Sequence, residues 1–398
     1  MPQNLFALLF VASWVLVAYT YCLFPLLVAL LSSLAGDHTL GVGEWAEGSL
    51  PRVAVVVAAH NEENFIAAKV RNTWQIDYPP DRLTLVVGSD GSSDSTPGLL
   101  QAMQHLRLQT KIFDLRRGKV SVINDLMAGV DADIVILSDA NTMLAADAVR
   151  KLVRHFRDPK VGCVNGALAL EHDGGVSGEG LYWKYELWIK TNESCLGFVI
   201  GCYGGILAIR RDLYQPLPPT TIIEDFVLTM QIMAAGWKVR FDPEARATEP
   251  ASASSRAEWE RKVRIGAGDF QALGLTKQML HPRYGLRAFS FWSHKVLRWF
   301  VPFLLINALV GNLGIAVAYG FSPWSVFTWL LALQLAGIFA SFIVYRLPVG
   351  SGPPAWLRPI SFFYLMNFAL LCGFGRWVRG SQSVAWQQAA RQASEQPG

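Results

Sequence analysis

Residues 133–144 read DIVILSDANTML, and the fold turns on how they are understood. Ile134 to Leu137 are apolar and largely β-branched, the pattern of a strand buried on both faces. The run stops at Ser138, Asp139, Ala140 and Asn141, so a buried strand delivers a carboxylate and, two residues later, an amide. One reading is a turn, because Ser, Asp and Asn side chains bond nearby backbone amides where a chain leaves a strand. The other is a cation site. In extended chain, residues i and i+2 point the same way, which aims oxygens of Asp139 and Asn141 at one hard metal ion.

Working outward, residues 52–170 alternate strand and helix. Residues 52–58 (RVAVVVA), 83–88 (LTLVVG), 111–114 and 134–137 read as strands. Residues 62–75, about 96–106, about 120–128 and 147–156 read as the helices between and after them. This alternation predicts an α/β fold with a mainly parallel sheet and helices on both faces. Ligands of such sheets bind beyond the carboxyl ends of the strands. Those ends carry AAHNEE (58–63), SDGSSDST (89–96) and SDANT (138–142). Carboxylates gathered on one rim repel one another. A bound cation, or the donors of a base and ribose, would relieve that repulsion.

Composition sets the frame. Of 398 residues, 52% are hydrophobic, and the mean hydropathy of +0.28 is too high for an ordinary soluble enzyme. Residues 5–34 carry no charge, and further apolar runs lie at about 300–320, 324–344 and 359–375. Each approaches the ~20 residues a membrane-crossing helix needs. The uncharged start and the length of the first run disfavour a cleaved signal peptide. The expected layout is a membrane helix and linker in 1–48, a catalytic domain in 49–255, interfacial helices in 256–298, and three membrane helices with a tail in 299–398. No Lys or Arg precedes Arg52, whereas the central domain is rich in both, which places that domain on the cytoplasmic side of a plasma membrane. Three crossings after the domain put the C-terminus outside, while Arg376, Arg379 and Arg391 argue for inside; both placements stay open. The five scattered cysteines form no CxxC pair, and a net charge of +4 gives no sign of nucleic-acid binding.

The ordered set VVVAAHNEENFI, VVGSDGSSDST, ILSDANTML and TTIIEDFVLTMQIMAAGWKV resembles the family 2 glycosyltransferases over residues 50 to about 275. The flanking apolar helices resemble its membrane-embedded branch: hyaluronan, cellulose, chitin-oligosaccharide and poly-N-acetylglucosamine synthases. The resemblance implies a GT-A-like fold and inverting transfer from a UDP-sugar, UDP-GlcNAc or UDP-glucose above all. It implies that Asp90 and Glu62 hold the base or ribose and that Lys119 meets the diphosphate. Asp139, with Asn141 in place of the second acid of a D-x-D motif, would hold Mg²⁺ or Mn²⁺. Asp225 is implied as the general base, assisted by Glu224. Gly201, Cys202 and Gly204 would lie beside the acceptor. RKVRI (261–265) stands where the family has Q-x-x-R-W: Arg264 is retained and can bind diphosphate, Arg261 replaces Gln, and Ile265 replaces Trp. The missing Trp bears against processive addition.

Residues 277–299 interleave basic and aromatic side chains, the composition of a segment lying in the membrane interface. An active site against the bilayer suits either a growing polysaccharide or a lipid acceptor that receives one sugar. Two readings outside the enzyme class, a transporter with a nucleotide-binding domain and an inactive scaffold, are disfavoured. The last apolar runs hold almost no ionisable residues, and Asp139, Asp225 and Arg264 are intact.

Overall fold

A computed structural model describes residues 2–35, 43, 45–103, 105–171, 178–250, 255–347, 354 and 356–382. Its strands are β1 (Val53–Ala59), β2 (Leu83–Asp90), β3 (Leu108–Phe113), β4 (Ile134–Leu137), β5 (Met143–Leu144), β6 (Val161–Glu171), β7 (Leu207–Arg210) and β8 (Lys238–Pro250). The helices are α1 (Pro2–Ala18), α2 (Phe24–Ala35), α3 (Ile66–Trp74), α4 (Thr96–Ala102), α5 (Lys119–Gly129), α6 (Ala148–Arg154), α7 (Gly178–Cys195), α8 (Glu224–Ala234), α9 (Ser255–Leu275), α10 (Leu286–Ser290), α11 (Leu297–Ala318), α12 (Val326–Arg346) and α13 (Leu357–Val378).

The strands form one sheet in the order β3-β2-β1-β4-β7-β6-β8-β5. The block β3-β2-β1-β4 is wholly parallel, as the alternating pattern predicts. Beyond it the sheet is mixed: β7 runs antiparallel to β4 and β6, β8 parallel to β6, and β5 antiparallel to β8. Every residue of β1 is buried. Val55 and Val57 point to one side and pack with Ile66 and Val70 of α3; Val56 and Ala58 point to the other and pack with Val122 and Leu126 of α5. The two-residue period of a strand thus builds both hydrophobic layers from one segment. Each such side chain contributes ~1.5–3 kcal/mol on burial.

Four helical stretches are long and apolar enough to cross a membrane: Asn4–Ala35, Leu286–Ala318, Val326–Arg346 and Leu357–Val378. The chain is helical from Leu286 to Ala318, straight through the boundary expected at 298/299. Basic residues of that stretch dock on the catalytic domain. Arg287 Nη1 donates to Met233 O at 2.9 Å, capping the end of α8. Arg298 is buried in an ion pair with Glu186 of α7, and Lys295 lies 3.7 Å from the same carboxylate. Charges can be buried here because α7 brings the matching carboxylates.

Candidate active site

The opening stretch forms the expected buried strand and leaves it in a turn, the first of the two readings. Ser138 continues the β4 pairing, its N donating to Val56 O at 3.1 Å. Then Thr142 N donates to Asp139 O at 3.1 Å and closes a turn over 139–142. Because this is a turn and not extended chain, Asp139 and Asn141 do not point together. Asp139 lines the main cavity. Asn141 is buried, with Nδ2 3.3 Å from Glu249 Oε1 and Oδ1 without a hydrogen-bond partner among the described residues. The turn is held from beneath by α3. Lys69, fully buried, donates to Ser138 Oγ at 2.7 Å and to Thr142 O at 2.5 Å, and Asn72 bonds both backbone groups of Leu144. Burial lowers the Lys69 ammonium to about 7, against the pull of Asp139.

The cavity has a volume of about 470 Å³ and opens at the carboxyl rim of β4. Lys119, the first residue of α5, enters from one side. Its Nζ lies 2.7 Å from Asp139 Oδ1 and 2.6 Å from Glu224 Oε1. Burial opposes the ammonium form, but the two carboxylates outweigh it and hold Lys119 charged. The loop before Lys119 is fixed by Asp90, whose two oxygens accept from Arg117 N (2.6 Å) and Gly118 N (2.8 Å).

Asp225 stands in the first turn of α8. Burial raises its carboxyl to about 6, Glu224 adding to the rise and Lys119 opposing it. It accepts from its neighbour's amide, Phe226 N, at 2.8 Å. Gly204 faces it so closely that a Cβ there would sit 3.1 Å from Asp225 Oδ2. Gly201, at φ +93°, permits the backbone turn that brings Cys202 and Gly204 to the cavity. Arg261 and Arg264 reach the cavity from α9; Arg264 Nη1 donates to Ile222 O at 3.3 Å, and Arg261 pairs with Glu258 at 2.7 Å.

Nine of the expected residues therefore meet in one cavity: Lys119, Asp139, Gly201, Cys202, Gly204, Glu224, Asp225, Arg261 and Arg264. Glu62, Asp90 and Asn141 are buried and do not line it. Sequence reading missed Glu249, Lys190 and Asp269, which also line it. Lys190 lies 3.1 Å from the Tyr203 ring centre, and burial lowers it to about 8. Burial pushes Asp269 up to about 8, opposed by Lys295 and reinforced by Asp225. A signal for Asp269 existed: positions 261, 265 and 269 fall on one helix face. Among the described residues no three His, Cys, Asp or Glu side chains cluster closely enough to hold a metal by themselves.

Residues 51–267 match the family described as glycosyltransferase-like family 2. The chain belongs to that family. Among curated relatives, this glycosyltransferase is 26% identical over 261 residues to a beta-monoglucosyldiacylglycerol synthase of Trichormus variabilis, covering 61% of this chain and 55% of that one. It is 22% identical over 233 residues to a poly-beta-1,6-N-acetyl-D-glucosamine synthase of Staphylococcus aureus, covering 56% of each. The chain thus spans about half the length of the curated relatives it matches. Its fold is that of the mannosyltransferase PcManGT from Pyrobaculum calidifontis, a structure in complex with GDP-Man and Mn²⁺. The TM-score is 0.71 at 21% identity, over 93% of this chain and 99% of that one.

Proposed function

We propose that this glycosyltransferase is membrane-integral and inverting, and that it moves a hexose or N-acetylhexosamine from a UDP-sugar to a hydroxyl of a growing cell-surface polysaccharide. The reading rests above all on Asp225: a half-buried carboxyl poised at about 6, facing Gly204 on one side and the Lys119–Glu224 pair on the other. A group so poised is half ionised near pH 6 and fully a base at neutral pH. The acceptor hydroxyl enters along Gly201, Cys202 and Gly204 and gives its proton to Asp225. Its oxygen bonds to the anomeric carbon as the bond from that carbon to the diphosphate breaks. One displacement inverts the centre and leaves no sugar–enzyme intermediate.

The donor diphosphate lies toward Lys119, Arg261 and Arg264, whose charges favour the leaving UDP. Asp90 sets the loop that carries Lys119, and Glu62, whose N donates to Thr96 Oγ1 at 2.8 Å, follows the end of β1. Asp139, a hard oxygen donor that reaches the cavity, would hold Mg²⁺ or Mn²⁺; Asn141, its amide nitrogen on Glu249 and its Oδ1 without a hydrogen-bond partner among the described residues, would join it only by turning toward the cavity. When bound, such a cation supplies further stabilisation of charge on the diphosphate. The domain faces the cytoplasm of a plasma-membrane protein, following the basic residues that begin at Arg52.

A second reading is single-sugar transfer to a membrane lipid, forming a glycolipid. It is favoured by Tyr21, Met366 and Leu370, which bring apolar helices into the cavity wall, and by the relatives named as glucosyldiacylglycerol synthases. The test is UDP release by detergent-purified protein against a panel of UDP-sugars with Mg²⁺ or Mn²⁺, followed by product sizing. Asp225→Asn is expected to lose ~10²–10⁴-fold in rate. Long chains support the polymer reading and one-sugar lipids the second. Full activity in Asp225→Asn would refute the base assignment.

A further inference from the structure

α13 has the length and composition of a membrane span and touches the other apolar helices, with Tyr21–Phe363 at 5.5 Å, Phe303–Phe374 at 5.0 Å and Gly337 of α12 against Tyr364, but it also packs along a charged surface helix. It stays against α9 over most of its course. Near its start Lys262 Nζ lies 5.3 Å from the Phe362 ring centre. At its middle Phe368 meets Trp259 at 5.6 Å. Gly373 is pressed so close to α9 that a Cβ there would be 2.6 Å from Ala267 N. Near its end Phe374 meets Phe270 at 4.9 Å, and Arg376 Nη2 bonds Glu260 Oε2 at 2.8 Å.

α9 itself is no membrane helix. It carries seven charged side chains between Arg256 and Asp269 in 21 residues, and immersing such a helix in hydrocarbon is costly. A helix of 22 residues is ~33 Å long, enough to cross a ~30 Å hydrocarbon layer. Crossing would carry one end of α13 far from the domain. Phe362 and Arg376 are ~21 Å apart along the helix, yet both touch α9. α12 behaves differently. It starts beside the N-terminal helix, where Phe327 meets Phe10 at 5.9 Å, and returns to the domain only at Tyr345, 5.7 Å from Trp259.

The two faces of α13 are also unlike. Met366, Asn367 and Leu370 line the active-site cavity. Ile360 and Val378 are exposed apolar side chains.

We infer that α13 lies along the membrane face of the catalytic domain as the roof of the cavity, its outer face resting in the bilayer interface, and that three helices cross. The count then returns the chain after Val378 to the side of the catalytic domain. Arg376 and Arg379 sit there in accord with the charge bias that orients the domain. The conflict between the number of apolar runs and the C-terminal charges disappears. None of this depends on the sugar, the acceptor or the catalytic base.

The test is cysteine labelling in the full-length chain, otherwise cysteine-free, with a membrane-impermeant maleimide before and after permeabilising cells. Ser322→Cys lies between α11 and α12, Ser351→Cys between α12 and α13, and Ser383→Cys after α13. The expected result is that 351 and 383 label from one side and 322 from the other. Labelling of 351 and 383 from opposite sides overturns the proposal, because α13 then crosses. Labelling of 322 from the same side as 351 overturns the count of three. If removal of the native cysteines blocks insertion, green fluorescent protein and alkaline phosphatase fused to the end of the native chain read the same question. Fluorescence without phosphatase activity is expected for a cytoplasmic domain, and the reverse overturns the proposal.

Discussion

Glu224→Gln should move the acid limb of the pH–rate profile to lower pH. Burial and the Glu224 carboxylate together lift Asp225 from 3.8 to about 6, while Lys119 pulls the other way. The substitution keeps the size of the side chain and removes its charge, so burial remains as the main upward cause. Two charges ~8 Å apart at an effective dielectric of ~20 interact by ~2 kcal/mol. The shared counter-ion Lys119, which keeps its 2.7 Å bond to Asp139, cancels part of this. The expected shift is about one pH unit downward, since one unit corresponds to ~1.4 kcal/mol. The assay is kcat/KM for UDP release from pH 4.5 to 8, because that ratio reports the free enzyme. Wild type should lose activity below about pH 6, where Asp225 binds a proton. The variant should stay active about one unit further into acid, with a modest loss at neutral pH from its weaker base. A limb that stays in place or moves upward would refute the claim that Asp225 is the titrating base and Glu224 its neighbour.

Gly204→Ala puts a methyl 3.1 Å from Asp225 Oδ2, so the base must shift by a few tenths of an ångström. A loss of about tenfold in kcat with unchanged UDP affinity is expected, and steady-state kinetics beside calorimetry checks it. Asn141→Asp places a new carboxylate against Glu249 Oε1, now 3.3 Å from the amide. Thermal stability should fall without metal and recover on adding Mn²⁺ more than in wild type, as scanning fluorimetry would read. Lys69 is held at about 7, below its ordinary 10.5, so the unfolded chain binds the extra proton between those values. Stability should therefore rise from pH 7 toward pH 10.5, and Lys69→Met should flatten that slope in thermal unfolding.

β1, β2 and β4 were legible because each is a short apolar run followed by a polar end; β3, LQTKIF, is half polar and begins at Leu108, ahead of the strand expected at 111–114. β8 was not legible. Its sequence KVRFDPEARATEP mixes apolar residues with charges, and two of those charges, Arg240 and Asp242, are buried on partners elsewhere. Asp242, for example, bonds both Arg154 and His155 of the region after β5. The direction in which Asn141 points was hidden for a related reason: an extended chain and a turn carry the same letters, and only the Thr142 N to Asp139 O bond distinguishes them. The basic residues at 294–298 read as interfacial by composition. Their partners, Glu193 and Glu186, stand 101 and 112 residues earlier in the chain, beyond the reach of any local pattern.

The apolar helices shape the site as well as mounting it. Asp225 owes its raised carboxyl first to burial. That burial is supplied on one side by β7 and its preceding loop, and on the other by Phe226 packed against Trp299 of α11 at 5.6 Å. Leu370 of α13 closes the same cavity, and Gly266 allows α9 to approach it: a Cβ there would lie 3.1 Å from the Leu370 backbone. α9 is the joint in this arrangement. One face presents Arg261, Arg264 and Asp269 to the cavity, and the other accepts α13. Asp225 is half-buried where the two surfaces meet. The raised carboxyl of Asp225, on which the proposed base role rests, is therefore a property of the assembled chain, set where the sheet domain leans on its apolar helices.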